Sequence, residues 1–357
     1  MNNLIKYGIN PFFTAQALRY PELSTARVIS QYKDLYKIAT SEGECMAEVS
    51  GKFRFQSRML SDFPVVGDFI MYEDRGNNAG SVQIHNVLSR QSKFERKAVG
   101  NNNQTQVIAA NIDIVFICMS LNNDCNLSRL ERYLSTAWNS GGIPVVILTK
   151  SDLCDDLSTV LSEVSTIAAG VDILLTSSYD EESYNKLLSY LKKGVTASFI
   201  GSSGVGKSTL INCLADEELL TTSYIRNDDK GRHTTTRREL LVLPNGGIVI
   251  DTPGMRELGI ESVDLSRSFA DIEALIQECK FNDCTHDGEP GCAVRKAIEC
   301  GELDIRRLNN YRKLQKEARY AGLNSKQIEV EKCNQMFSKV GGMKKVRKLQ
   351  RQRKDYY

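Results

Sequence analysis

The sequence predicts a multidomain chain: an N-terminal β-barrel, a central α/β domain on a mostly parallel sheet, and a C-terminal helical domain. Three observations carry this. The 357 residues exceed what one compact core usually holds. Short strands give way near Ile112 to apolar strands alternating with amphipathic helices. After about Ser266 the chain becomes helical and charged and carries a cysteine cluster. The expected division is residues 1–92, 93–265 and 266–357. Hydrophobic residues at 41% and charged residues at 25% exclude wholesale disorder, collagen-like repeats and a disulfide-stapled miniprotein. The first twenty residues are too polar for a signal peptide, and no run approaches the ~18 apolar residues of a membrane span. Secretion and membrane insertion are therefore disfavoured, a cytoplasmic location is expected, and the ten cysteines read as reduced thiols.

In the first part, Ala26–Ile29, Tyr36–Ala39, Cys45–Val49, Phe53–Phe55, Asp68–Tyr72 and Ser81–Ile84 read as strands. Gly, Asn, Asp and Ser punctuate them at the intervals of a small independent barrel over residues 25–90. An OB-fold is the specific expectation, with an SH3-like barrel as the alternative. Arg90 to Asn103 is polar, contains Gly-Asn-Asn-Asn, and reads as a linker or mobile loop.

The α/β part has strands at Ile112–Met119, Pro144–Leu148, Val171–Leu175, Thr196–Ile200, Glu239–Leu243 and Gly247–Ile250. Leu127, Leu130, Leu134 and Trp138 share one helical face, as do Leu157, Val160, Leu161 and Val164. Ligands of such sheets bind beyond the carboxyl ends of the strands, so those loops hold the chemistry. Strand Thr196–Ile200 runs into Gly201-Ser202-Ser203-Gly204-Val205-Gly206-Lys207-Ser208 and then a helix from Thr209, a full G-x-x-x-x-G-K-S. Its glycines let backbone N–H groups wrap a phosphate, Lys207 charges the β/γ oxygens, and Ser208 offers a hydroxyl to Mg²⁺. Gly247–Ile250 ends in Asp251-Thr252-Pro253-Gly254, in which Asp251 would hold Mg²⁺ through water and the Gly254 N–H would meet the γ-phosphate. Between them lies Arg232-His233-Thr234-Thr235-Thr236, one of whose threonines is expected to ligate Mg²⁺, with Thr234 and Thr235 at the phosphates.

Two upstream loops would read the base. Thr149-Lys150-Ser151-Asp152 resembles the guanine-reading N-K-x-D, with Asp152 accepting from guanine N1 and N2 and Lys150 over the ring. Thr149 departs from the usual Asn that ties this loop to the P-loop. Thr176-Ser177-Ser178 resembles the S-A-x turn whose backbone N–H meets guanine O6. Ordinary GTPases place both loops after the D-x-x-G; here they precede the P-loop, so the domain is circularly permuted. Permutation keeps the packed sheet while moving the termini, and it puts the C-terminal domain directly after the D-x-x-G switch.

Cys279, Cys284, His286 and Cys292, spaced C-x₄-C-x-H-x₅-C, supply three thiolates and an imidazole, a structural zinc set; a redox pair or buried thiols are the alternatives. Cys300 is expected in the core rather than at a metal. From Lys332 to Lys354 nine Lys or Arg and no acidic residue make a basic arm on an otherwise acidic chain, suited to phosphodiesters.

With these motifs together the chain resembles the circularly permuted ribosome-assembly GTPases, the RsgA (YjeQ/YloQ) family. The motif order, the Arg-His-Thr-Thr-Thr loop, the cysteine spacing with Glu289-Pro290 inside it, and the Val66-Gly67-Asp68-Phe69 turn all match. The resemblance implies an OB-fold, a permuted G domain and a zinc-binding C-terminal domain with Cys279, Cys284, His286 and Cys292 as ligands of one ion. It implies GTP hydrolysis with Mg²⁺ at Ser208, Thr235 and Asp251, stimulated by the small (30S) ribosomal subunit and its 16S rRNA during late maturation, by a monomer. Met255 stands where many GTPases carry the water-orienting Gln, and His233 is the catalytic residue implied instead, with an RNA contact beside Arg232 as its alternative role. A GTP-dependent RNA-binding switch elsewhere in translation, and a P-loop ATPase or kinase, are the competing classes.

Overall fold

The computed structural model describes residues 2–74, 81–97, 105–122, 125–177, 180–217, 238–251, 264–320, 323 and 325–337. Five strands, β1 (Ser24–Gln31), β2 (Tyr36–Ala39), β3 (Glu44–Val49), β4 (Phe69–Glu73) and β5 (Val82–Val87), close into a barrel. β1 pairs with β2 and β4, β2 with β3, β4 with β5, and β3 with β5 in parallel. This ring, with a helix between β3 and β4, is the OB arrangement and excludes the SH3-like alternative. Alternate residues of the strands, Ala26 and Val28, Tyr36 and Ile38, Ile70 and Tyr72, fill its interior. The helices α1 (Asn2–Lys6) and α2 (Pro11–Ala17) precede it. Asn10 caps α2 ahead of a proline at the first helical position, and Phe13 stacks on Phe69 at 4.2 Å between ring centroids.

Two expectations for this part are overturned. Phe53–Phe55 is not a strand but lies in α3 (Gly51–Gln56). Ser50 Oγ accepts from the Phe53 N–H at 3.2 Å, and this cap outweighs the alternating pattern, leaving Phe53 facing Phe63 and Phe55 91% exposed. The stretch from Arg90 is not a plain linker: β6 (Lys93–Lys97) and β7 (Thr105–Ala110) form an antiparallel hairpin. Phe94, Val107, Ile108 and Ala109 are buried, which a single apolar residue in β6 could not announce.

The central sheet runs β10 (Asp172–Thr176), β9 (Ile143–Thr149), β8 (Ile114–Ser120), β11 (Thr196–Gly201), β13 (Ile248–Asp251), β12 (Glu239–Val242). All neighbours are parallel except β12 with β13. Helices α4 (Leu127–Ser140), α5 (Leu157–Ile167), α6 (Glu181–Leu188) and α7 (Lys207–Ala215) cover it. Asn126, Asp156 and Asp180 cap α4, α5 and α6, and Gly141, at φ +88°, closes α4. Chain order enters this sheet at β8 and reaches the P-loop strand β11 only fourth, as permutation requires.

The barrel is not free of this sheet. Ser30 of β1 stands opposite Glu239 of β12. Arg27, also on β1 and 1% exposed, donates to the carbonyls of Tyr7 (2.6 Å), Gly67 (3.2 Å) and Asn111 (3.2 Å) and to Thr196 Oγ1 (3.0 Å). One buried guanidinium thus ties the first helix, the barrel, the linker and the start of β11. The Val66–Phe69 turn serves the same junction. A Cβ on Gly67, at φ +94°, would lie 2.1 Å from the Ala110 carbonyl, and buried Asp68 accepts from Arg90 at 2.8 Å through both oxygens.

The C-terminal helices are α8 (Ala270–Gln277), α9 (Ala293–Glu299), α10 (Ile305–Tyr320) and α11 (Ser325–Phe337), with Phe269, Ile272, Val294, Leu308, Tyr311 and Leu314 in their core. They dock on α4 through a buried ion cluster. Arg307, 4% exposed, donates to Glu131 at 2.9 Å and to both Asp271 oxygens at 2.7 Å, and Asn310 completes Glu131. Removing one partner of such a cluster typically costs about 3–5 kcal/mol. Asn139 of α4 exchanges two hydrogen bonds with the Asp264 backbone, so the chain is held to α4 where it emerges from the switch.

Candidate functional site

The loops after β11, β9 and β10 and the end of β13 meet at one end of the sheet. β11 finishes at Gly201, where a Cβ would lie 2.4 Å from the Cys118 carbonyl of β8. Gly204 (φ +74°) and Gly206 (φ +97°) take left-handed conformations with open space where a Cβ would be, which leaves the backbone free to face a ligand. Val205 between them is buried and pins the loop to the core. Lys207 opens α7 and its Nζ donates to the carbonyls of Gly201 (2.8 Å) and Ser202 (2.6 Å), curling the loop around the ammonium. Ser208 and Thr209 follow in the first turn, where helix N–H groups and dipole favour an anion. Burial pushes the Cys118 thiol under the loop up to about 12, so it stays protonated.

Thr149 ends β9 beside Thr176 at the end of β10. Its buried hydroxyl donates to the Val205 carbonyl at 2.7 Å, the tie that the usual Asn makes at this position. Lys150, at φ +56°, adds a second: its Nζ donates to the Gly204 carbonyl at 2.9 Å. Ser151 Oγ donates to the Thr176 carbonyl at 3.3 Å, and Ser177 Oγ donates to Asp152 Oδ1 at 2.7 Å. The second bond fixes the carboxylate while leaving Oδ2 open. An exposed acceptor so oriented recognises adjacent N–H groups on a planar ring edge.

Asp251 closes β13 opposite Glu239. Burial raises its carboxyl above the ordinary value, with Lys207 pulling it back down and Glu239 adding to the rise. A cation bound there would favour the charged form, as expected of a Mg²⁺ site. Of the remaining expected residues, His233, Thr234, Thr235 and Gly254 lie outside the described residues, as do Ser178, Met255 and the basic arm beyond Phe337.

A second cluster stands in the C-terminal domain. The ligand atoms of Cys279, Cys284, His286 and Cys292 all lie within 4.8 Å of one another. His286 Nδ1 is 3.6 Å from Cys279 Sγ and 3.5 Å from Cys292 Sγ, and those two sulfurs are 3.9 Å apart. A tetrahedral zinc with ordinary bond lengths gives edges of about 3.8 Å between sulfurs and about 3.5 Å from sulfur to nitrogen. The set fits such an ion. Burial and nearby Arg312 hold the imidazole below its ordinary pKa, in the neutral form a metal needs. Glu289 shapes the loop by accepting from Thr285, Asp287 and Gly288 N–H groups and from the Thr285 hydroxyl, which place its carboxyl well below the usual range. Cys300 is exposed at the end of α9, neither in the core as expected nor in the ligand set.

Sequence patterning gave no sign of Arg27, Glu131 or Arg307, because a lone charged residue in a strand or helix reads as a solvated one.

Comparison with known proteins agrees with this arrangement. A family model described as RsgA GTPase matches residues 87–261. The small ribosomal subunit biogenesis GTPase RsgA 2 of Lactiplantibacillus plantarum is 48% identical over 346 residues, covering 97% of each chain. The crystal structure of YjeQ from Thermotoga maritima aligns with TM-score 0.61 and 28% identity over 82% of this chain and 97% of that one. YloQ, described as a circularly permuted GTPase, aligns with TM-score 0.59 and 24% identity over 84% and 96%, a likeness of fold.

Proposed function

This chain belongs to the RsgA family of GTPases, and from that membership together with its own site we infer that it hydrolyses GTP to GDP and phosphate in the biogenesis of the small ribosomal subunit. The observation that carries the reading is the pair of bonds from Thr149 and Lys150 to the P-loop carbonyls of Val205 and Gly204. They join a base-reading loop and a phosphate loop that the permuted order places far apart in sequence.

Residues Gly201, Ser202, Ser203, Gly204, Val205, Gly206, Lys207, Ser208 and Thr209 would wrap the phosphates, and Thr149, Lys150, Ser151, Asp152, Thr176 and Ser177 would bind guanine. Ser208, Thr235 and Asp251 would hold Mg²⁺, which supplies charge neutralisation at the β/γ oxygens. Thr234 and Gly254 would complete the γ-phosphate side. His233 would orient the attacking water in place of the Gln that Met255 replaces. Docking on the subunit would bring His233 into position. Cys279, Cys284, His286 and Cys292 would hold one structural zinc, and the distances above support that choice.

The partner is the 30S subunit, through its 16S rRNA, bound by a monomer of this chain in the cytoplasm. No described helix is long and apolar enough to cross a membrane. The proposed domains are residues 1–92, 93–265 and 266–357.

The reading is tested by GTP turnover with and without purified small subunits. Turnover should rise about tenfold or more, equivalent to ~1.4 kcal/mol of transition-state stabilisation. Equal stimulation by large subunits or by unrelated RNA would contradict it and favour a more general translational switch. Thr149→Val should weaken GDP by about 5- to 100-fold in a fluorescence titration, since the buried Val205 carbonyl loses its partner at about 1–3 kcal/mol. Thr149→Asn should restore most of that loss.

A further inference from the structure

The seam between α4 and α10 carries a groove that neither the nucleotide site nor the cysteine cluster uses. Its volume is about 430 Å³, and it is lined by Ser128 of α4 and by Ile305, Arg306, Asn309, Asn310 and Lys313 of α10. No lining residue is acidic. Ser128 stands in the first turn of α4, which follows the carboxyl end of β8, so this bank of the groove lies at the same end of the sheet as the P-loop.

Inside the seam the charges are matched. Arg307 and Asn310 hold Glu131, Arg307 also holds Asp271, and the Asn310 amide donates to the Ser128 carbonyl at 3.3 Å. The Arg306 guanidinium donates to Ser128 Oγ at 3.3 Å, and its ion pairs with Asp304 (3.5 Å) and Glu131 (3.7 Å) are longer than ordinary hydrogen bonds. On the outer face the charges are not matched. Asn309, Lys313 and Lys316 are exposed and recur at the i, i+4, i+7 spacing of one helical face, and Arg319 is exposed further along. Glu317 is the single acidic residue of α10, and Arg132 of α4 engages it through two bonds at 2.6 and 3.0 Å. Arg312 is held by Asp287 at 2.9 Å. Among the described residues Lys313, Lys316 and Arg319 make no ion pair. Docking α10 on α4 thus consumes its carboxylate and leaves a cationic row beside a groove of amide and hydroxyl groups.

A row of like charges is relieved by a polyanion. A phosphodiester backbone supplies charge at regular intervals, and its oxygens accept from ammonium, guanidinium, amide and hydroxyl donors alike. Ser128 Oγ, which accepts from Arg306, keeps its own hydrogen to donate. An acidic protein segment would call for apolar pockets beside the charges, and Ile305 is the one apolar residue lining this groove.

We propose that a strand of the small subunit's RNA lies along this seam, its phosphodiester groups held by Lys313 and Lys316, with Arg306, Asn309 and Ser128 contacting it in the groove. The groove exists only while α10 rests on α4, so the contact also holds these helices together at the nucleotide end of the sheet. The proposal rests on the ribosomal reading above and names a backbone grip separate from the basic arm that begins at Lys332.

Binding to purified 30S subunits, measured by sedimentation over a KCl series with a non-hydrolysable GTP analogue bound, tests it on the full chain. The variants are Lys313→Gln, Lys316→Gln, both together, Lys313→Arg, and Lys186→Gln, which removes an exposed charge of α6. Each groove lysine should lower the slope of log affinity against log salt by about one and the double variant by about two. Lys313→Arg and Lys186→Gln should keep the wild-type slope. Melting temperature, and GTP turnover without subunits, should match the wild type throughout. A wild-type slope in the double variant, or an equal loss in either control, would overturn the proposal. So would a falling melting temperature, which would assign the lysines to the packing of the seam. The benzophenone amino acid p-benzoylphenylalanine in place of Asn309 then identifies the occupant: a cross-link to 16S rRNA supports the proposal, and one to ribosomal protein alone, or none, overturns it. If the wild type does not bind small subunits, the ribosomal reading fails, and the groove is judged with a mixed-sequence RNA duplex. Binding that weakens in the double variant supports a backbone site; equal or absent binding overturns it.

Discussion

Asp152→Asn should cost this protein GTP and give it xanthosine triphosphate. The carboxylate is held by Ser177 through Oδ1 at 2.7 Å, at the end of a loop tied to the P-loop by Thr149. In the guanine reading it accepts from N1–H and from the exocyclic amine. Two charge-assisted bonds at about 1.5–3 kcal/mol each put the loss at roughly 10²- to 10⁴-fold in GTP affinity. Xanthine carries a carbonyl where guanine carries the amine, and the Asn amide can donate to it. The substitution is isosteric and Ser177 can still donate to the amide oxygen, so folding should be unaffected. Competition titrations with both triphosphates check this. Unchanged affinities would mean that Thr149–Asp152 is an ordinary strand-end turn and would move the protein to the ATPase or kinase class.

Removal of metal from the cysteine cluster should unfold the surrounding C-terminal structure while leaving nucleotide binding largely in place. Cys292 is both a candidate ligand and the N-cap of α9, and its sulfur accepts from the Arg295 N–H at 3.4 Å. Cys279, Cys284 and Cys292 also pack against the core of Phe269, Leu308 and Tyr311. Structural zinc in finger-like sites binds with about 10–16 kcal/mol, as much as the whole stability of many domains. A strong chelator, or Cys279→Ala with Cys292→Ala, should therefore reduce helical circular dichroism and expose residues 266–320 to protease. Elemental analysis should find one zinc per wild-type chain and none in the double variant. Wild-type protein free of zinc with its C-terminal helices intact would contradict the assignment.

Legibility in the sequence followed the physics of each feature. The P-loop was visible because the left-handed conformations at 204 and 206 favour glycine, and because one lysine must follow at a fixed distance. The Cys/His cluster was visible because its members lie within a few turns of chain, so short spacing brings them together. Permutation was readable from motif order, since the sheet obeys neighbour relations that chain order does not alter. What escaped was decided outside the local apolar pattern. The Phe53–Phe55 alternation suits a strand, but a cap at Ser50 turned it into helix. The β6–β7 hairpin has too few apolar residues to declare itself and is held by burial of Phe94 and Val107. Arg27 ties four segments that come together only in the folded chain, and no pattern around it signals a buried charge.

The central claim is that loops from a rearranged chain form one guanine nucleotide site beside Lys207. Calorimetric titration of the full chain with GDP and with ADP, each in Mg²⁺, tests it most directly. One GDP bound per chain with no saturable heat from ADP is the predicted result. Equal binding of ADP, or no binding of GDP, would contradict the account.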